Sequence, residues 1–357
     1  MSHSITAARE RVAALCRHGL DSRTLRVEVL AEIRRSVPFD AYAWLLTDPE
    51  TRVGSAPLAS VPDLAGLPQL IRVKYGTKIN RWTTLAANSC ATLVQATAAE
   101  LSRSRFWRDQ LAGHGVTDVA SMVFRDQHGC WGFLDLWRCG GAAAQAQFST
   151  LEQAFLASLG AGLTTALRAC QAATFSQPGT PAASFEAPAV LLLSSRLKVI
   201  DQTPQADTHL RTLLPTESQA SPVAAAAYNV AAQLLAVEDG VDDAPAQART
   251  HLTGTRWLSL RAARLGGVGQ RATIVVTVEP ILPLERLDLY ARTAGLSHRE
   301  TELLHRLARG SSTHQLATEM TLSQHTVQDH LKSVFAKTNT NSRGTLIACA
   351  LGPEPRR

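Results

Sequence analysis

Near the carboxyl end the chain reads Leu-Ser-Gln-His-Thr-Val-Gln-Asp-His-Leu-Lys over residues 322–332. Val327, Leu331, Val334 and Phe335 recur at i, i+4, i+7 and i+8, one apolar side of a helix, and Gln328, Asp329 and Lys332 fall on the opposite side. That polar side has the chemistry of base-edge readout. An amide bonds adenine at two places, an ammonium donates to guanine oxygen or nitrogen, and a carboxylate accepts from the cytosine amine. Thr313, Thr326, Lys337 and Arg343 suit phosphate oxygens, which set register more than sequence, and Ser323 completes the contact set while capping the helix.

Short elements must position these groups. Ser297 and Glu300 form a capping box, Leu303, Leu304 and Leu307 make the apolar face behind it, and Gly310 ends that helix. A second helix holds Leu316, Ala317 and Met320. The turn Thr321-Leu322-Ser323 joins it to the polar-faced third, and Ser342 caps a fourth with Leu346, Ile347 and Ala350. The arrangement predicts a helix-turn-helix, with the second helix fixing the angle of the third in a major groove. From Asp288 onward there are nine Lys and Arg against six Asp and Glu, a net +3. Pattern and caps alone equally describe a small helical bundle with Lys332 and Lys337 as solvated charges.

The segment from Leu296 to Ala350 resembles the LuxR type of helix-turn-helix domain, shared with FixJ-like and NarL-like regulators. The matching positions are Leu296, Ser297, Arg299, Glu300, Leu304, Gly310, Ala317, Leu322, Ser323, Thr326, Val327, His330, Leu331, Val334, Lys337, Ser342 and Arg343. The resemblance implies a four-helix domain that binds double-stranded promoter DNA as a homodimer, with Leu346, Ile347 and Ala350 of the fourth helix at the seam. The chain departs from the family at Thr313-His314-Gln315-Leu316, where Asn-Lys-Glu-Ile is usual, and at Thr338-Asn339-Thr340, where Leu-Gly-Val is usual. Gln328 stands where a lysine is common, which weakens the phosphate grip by one charge and leaves the target sequence open.

The whole chain has 357 residues, enough for two or three domains, with 45% hydrophobic residues and a net charge of +6. The pI of about 9.2 suits a polyanionic partner without requiring one. Six scattered cysteines, with no Cys-x-x-Cys pair, fit a reducing cytoplasm and no metal site. No run reaches the ~18 apolar residues of a membrane span, and the N-terminus lacks the apolar core of a signal peptide.

Upstream, two helices precede a strand over Phe39–Leu46, and residues 54–68 read as an irregular excursion. Helices are expected around Asp63–Tyr75 and Ala98–His114. Val116–Arg125 and Cys130–Arg138 form a hairpin over a four-residue connection, and Ser149 and Glu152 box the start of a long helix. Strands follow at Ala189–Leu193 and Leu197–Ile200, a helix at about Pro222–Val237, a polar loop at Glu238–Thr250, and a hairpin of Arg256–Leu265 with Ala272–Val278. No fixed-period repeat is visible.

The Phe39–Trp44 strand, the Asp126–Gly132 hairpin and the capped helix from Ser149 resemble a GAF domain. Val190–Leu193, Val199–Gln202 and the two closing strands are similar to a PAS domain. Together these give a multidomain α+β protein: a GAF-like sensory domain (1–173), a linker (174–187), a PAS-like domain (188–280), a connector helix (281–295) and the all-α helix-turn-helix domain (296–357). Trp44, Trp82, Phe106, Phe124 and Trp131 are candidate walls of a small-effector pocket, or ordinary core. No nucleophile elbow, phosphate loop, metal cluster or acid pair indicates an enzyme or a cofactor. The expected function is sequence-specific transcription regulation controlled by the upstream domains. The alternative is a partner-docking scaffold that its last domain only anchors to DNA.

Overall fold

The computed structural model describes residues 2–140, 146–176, 189–212, 224–266 and 273–352. Helices α1 (Ser2–Leu15) and α2 (Ser22–Ser36) open the chain, and Asp21 caps α2 by accepting from the amides of Arg23 and Thr24. Next come β1 (Ala41–Thr47), β2 (Gly54–Ser60), α3 (Leu67–Tyr75), β3 (Cys90–Thr92), α4 (Leu93–Ala96), β4 (Val116–Asp126), β5 (Gly129–Cys139) and α5 (Thr150–Ala173). The five strands form one antiparallel sheet in the order β2-β1-β5-β4-β3. The Ser149–Glu152 box is present, with the Ser149 amide donating to Glu152 Oε2 at 2.8 Å and the Glu152 amide to Ser149 Oγ at 3.3 Å.

A second run comprises β6 (Ala189–Leu193), β7 (Val199–Gln202), α6 (Pro204–Thr212), α7 (Ala225–Glu238), β8 (Gln247–Thr253), β9 (Arg256–Leu265) and β10 (Thr273–Pro280). Its sheet runs β7-β6-β10-β9-β8. Numbered within each sheet, both orders are 2-1-5-4-3, so the topology is duplicated although no repeat can be read in the sequence. The chain ends in α8 (Pro283–Thr293), α9 (His298–Ala308), α10 (Thr313–Glu319), α11 (Gln324–Thr338) and α12 (Arg343–Leu351).

Several elements differ from their sequence reading. Residues 54–60 of the expected excursion are strand β2, whose Pro57 is tolerated because β2 lies at the sheet edge. The expected helix over 98–114 is broken into short 3-10 and π turns, since Ala98 and Ala99 take positive φ of 52° and 66°. The β4–β5 connection is a two-residue turn, Gln127-His128, with Asp126 Oδ1 accepting from the His128 and Gly129 amides. The polar loop ends early in β8, where Arg249 and Thr250 are buried. The Gly267–Gly269 hairpin tip and most of the 174–187 linker lie outside the described residues.

Two compact units result. One comprises 1–167, 184–250 and 258–279, and the other 168–183, 251–257 and 280–357. Inside the first, the two sheets are tied by a buried ion pair. Arg249 Nε donates to Asp48 Oδ2 at 2.6 Å, and its Nη2 donates to Oδ1 at 2.8 Å. Burial opposes ionisation of both groups, but the paired charges prevail, lowering the Asp48 pKa and raising that of Arg249. Arg81 pairs with Asp242 at 2.5 Å, and Asn229 Nδ2 donates to the Gly54 carbonyl at 2.9 Å. A Cβ on residue 54 would meet Leu45 Cδ2 at 2.5 Å and Asn229 Nδ2 at 2.9 Å, so only glycine lets β2 approach α7 this closely. Helix α7 is apolar nearly all round and correspondingly buried from Ala225 to Gln233.

Candidate nucleic-acid interface

The last four helices are capped as their serines require. Ser297 and Glu300 box α9, and Ser312 and Gln315 box α10 in a second reciprocal pair that the sequence reading overlooked. Ser323 Oγ accepts from the Thr326 amide at 3.0 Å, and Ser342 Oγ from the Thr345 amide at 3.1 Å. Thr321 sits at φ 56° in the turn between α10 and α11. A common core of Leu303, Leu304, Leu307, Leu316, Val327, Leu331, Val334, Leu346 and Ala350 fixes the helices. With Val327, Leu331 and Val334 turned inward, the opposite side of α11 is left to solvent.

That side holds the predicted readers. Gln328, Asp329 and Lys332 are all exposed, Lys332 with 75% of its side chain accessible. Asp329 is flanked by two cationic or protonatable groups, Lys332 Nζ at 3.7 Å and His325 Nε2 at 3.6 Å. His325 escaped the sequence reading; its i, i+4 spacing to Asp329 was the available signal. At such exposure these contacts contribute little to stability, and the groups stay available to a ligand.

The predicted phosphate contacts fall in two places. Arg343 Nη2 donates to Thr313 Oγ1 at 2.7 Å, which joins the starts of α10 and α12. Lys337 instead lies at the far end of α11, where its Nζ donates to Glu300 Oε2 at 2.6 Å, and Ser333 Oγ donates to Oε1 at 2.6 Å. Burial alone would raise the Glu300 pKa. The bonds from Lys337, Ser333 and Ser297 outweigh it and hold the carboxyl down at about 2. Glu300 therefore caps α9 and clamps α11 to it, a second role that the capping motif gave no sign of. Of the proposed seam residues, Leu346 and Ala350 are wholly buried in the chain's own core, while Ile347 is half-buried.

In and around the first sheet the five candidate aromatic residues are buried and do not line one wall. Trp44 and Phe124 stack at 5.4 Å, and Trp44 lies cross-strand from Leu134. Trp82 stacks on Phe133 at 5.0 Å, on the other face, beside Asp135. Asp135 gathers Lys74 Nζ at 2.8 Å, Trp82 Nε1 at 2.7 Å and Ser121 Oγ at 2.6 Å. The Lys74 ammonium stands 4.3 Å from the Trp82 ring and 5.1 Å from that of Phe106. Burial lowers its pKa although Asp135 opposes the shift. The Trp131 indole donates to Asp126 Oδ1 at 3.0 Å. Among the described residues, no helix is long and apolar enough to cross a membrane.

The family model for bacterial regulatory proteins of the luxR family matches residues 294–350. No curated protein matches the chain. Among solved structures the chain is similar to Escherichia coli SdiA, at 12% identity and a TM-score of 0.35 over 97% of this chain and 98% of that one. SdiA in complex with octanoyl-rac-glycerol gives 12%, a TM-score of 0.34, and coverage of 97% and 93%. The sensor region of a sensor histidine kinase gives 15%, 0.17, and coverage of 67% and 84%. Likenesses this weak carry no argument about ligand or assembly. The family match falls on the helices that hold Gln328, Asp329 and Lys332 outward, and residues 294–350 are a C-terminal domain of the luxR family, joined to an α+β N-terminal region of two antiparallel sheets.

Proposed function

We propose that the chain is a sequence-specific DNA-binding transcription regulator acting in the cytoplasm as a homodimer. Its N-terminal region comprises a GAF-like domain (1–173) and a PAS-like domain (188–280), separated by a linker (174–187). These domains receive a small effector or a protein partner and pass its effect through the connector (281–295) to the DNA-binding domain (296–357). One observation carries the reading. The outward side of α11 is exposed and polar over Gln328, Asp329 and Lys332, while its inward side is locked into the core of a luxR-family domain.

In this reading Gln328, Asp329 and Lys332 meet base edges, and Thr313, Ser323, Thr326, Lys337 and Arg343 meet phosphates. A seam on α12 would use Ile347, the accessible member of the proposed set. An effector entering the first domain between Trp82 and Phe106 would meet Lys74 and Asp135, and one entering on the opposite face would meet Trp44 and Phe124. Either must bind two states of the protein unequally to shift DNA affinity.

The test is selection of fragments from the source organism's own genome by the full-length protein, repeated with and without cell metabolites. The expected result is a small set of fragments with half-sites about one helical turn apart. Recovery of fragments in proportion to their abundance would refute the reading. Unchanged selection across metabolite pools would refute its sensing half.

A further inference from the structure

Helix α8 carries a buried charge that has no counter-ion among the described residues. Arg286 is 3% exposed, and its Nε, Nη1 and Nη2 all lack a hydrogen-bond partner. Its Cζ lies 4.5 Å from the centre of the Phe175 ring. Phe175 stacks on Trp257 at 5.4 Å and tilts against Tyr290 at 5.2 Å. The indole N–H of Trp257, in the same cluster, is also buried without an acceptor. The backbone of Gly352, just past α12, is so near that a Cβ there would stand 2.6 Å from Arg286 Nε.

A guanidinium presents five N–H donors in a rigid fork, and one ring face satisfies none of them. Removing such an ion from water without pairing it is strongly unfavourable. Burial lowers the Arg286 pKa only to about 10, so the group stays charged at neutral pH. The nearby His251 has its pKa lowered by burial and adds no fixed positive charge. A single cation in an apolar aromatic setting matches a monoanion, and its planar fork matches a carboxylate.

We propose that Arg286 is the recognition fork of a monocarboxylate site walled by Phe175, Trp257 and Tyr290, whose filling fastens α8 to the end of α12. The ligand class is a free small monocarboxylate, whose carboxylate oxygens match the donor fork. The site itself stands independently of the DNA-binding reading, and only its effect on operator affinity rests on it.

The test is hydrogen exchange on the full-length protein, reading peptides from α8 and α12, in benzoate or acetate against chloride at equal ionic strength. Benzoate at about ten times its Kd slows exchange in both helices about tenfold. Arg286→Met abolishes the response and, without carboxylate, itself slows exchange, because the unpaired charge is gone. Arg286→Lys keeps the charge but loses the fork, so it needs at least about tenfold more benzoate. It also serves if the methionine variant fails to fold.

The proposal is overturned if neither benzoate nor acetate changes exchange in α8 and α12 relative to chloride. A loss of operator binding without loss of the exchange response would indict the DNA-binding reading rather than the site.

Discussion

Substituting Glu300 by Gln separates the two roles that this carboxylate holds. The amide can still accept from the Ser297 backbone, so the α9 cap is largely kept, but the charge that holds Lys337 and Ser333 is lost. A fall of the carboxyl pKa from 4.5 to about 2 corresponds to about 3 kcal/mol of preference for the ionised form. Lys337 is 39% exposed, so solvent screening reduces the usable part to about 1–2 kcal/mol. Because the folded pKa is depressed, this stability is fully present above pH 4.5 and is lost as pH falls toward 2. Hydrogen exchange at pH 7 should show α9 and α11 opening about 5- to 30-fold more often in the variant, the ratio that ~1–2 kcal/mol represents. On acidification the wild-type protein should lose this protection below pH 4.5, and the variant should lack that limb. Equal exchange in the two proteins at pH 7, or an identical acid limb in both, would show that Glu300 does not clamp α11.

Three further outcomes are expected. Lys332→Ala should cost about 1–3 kcal/mol on a selected site and relax base choice at one position, which competition binding across single-base variants measures. Lys337→Ala should weaken all duplexes alike, but because Glu300 already holds the ammonium, the salt slope should fall by less than the roughly one unit of a free phosphate contact. Arg249→Met should destabilise the two-sheet unit by about 3–5 kcal/mol by leaving Asp48 buried and unpaired, while adding Asp48→Asn should recover part of that loss in urea unfolding followed by tryptophan fluorescence.

The C-terminal domain was legible because its signals are local. Each helix starts at a serine whose oxygen meets an amide three residues on, and each apolar stripe has the helical period. The outward, exposed position of Gln328, Asp329 and Lys332 on α11 followed from that stripe alone. What stayed hidden depends on contacts far apart in sequence. Arg249 and Asp48 are 201 residues apart, and the polar stretch around Arg249 reads as a loop until its partner is placed. Lys337 reads as a free phosphate ligand until Glu300 is brought against it, 37 residues away in the chain. The aromatic set read as one candidate pocket, but strand alternation sends Trp44 and Asp135's partner Trp82 to opposite faces of the sheet. Strand β2 was lost because Gly54 and Pro57 are turn residues by habit, and here an edge position and the close approach of α7 account for them.

The central claim is that α11 reads duplex sequence, and the most direct measurement is the affinity of the full-length protein for a fragment selected from its own genome against bulk duplex at fixed salt. A preference of at least about 10³ is expected, reduced by Lys332→Ala to nearer the bulk value while bulk binding itself changes little. Equal affinity for selected and bulk duplex, or a preference untouched by Lys332→Ala and by substitution of Gln328 and Asp329, would contradict it.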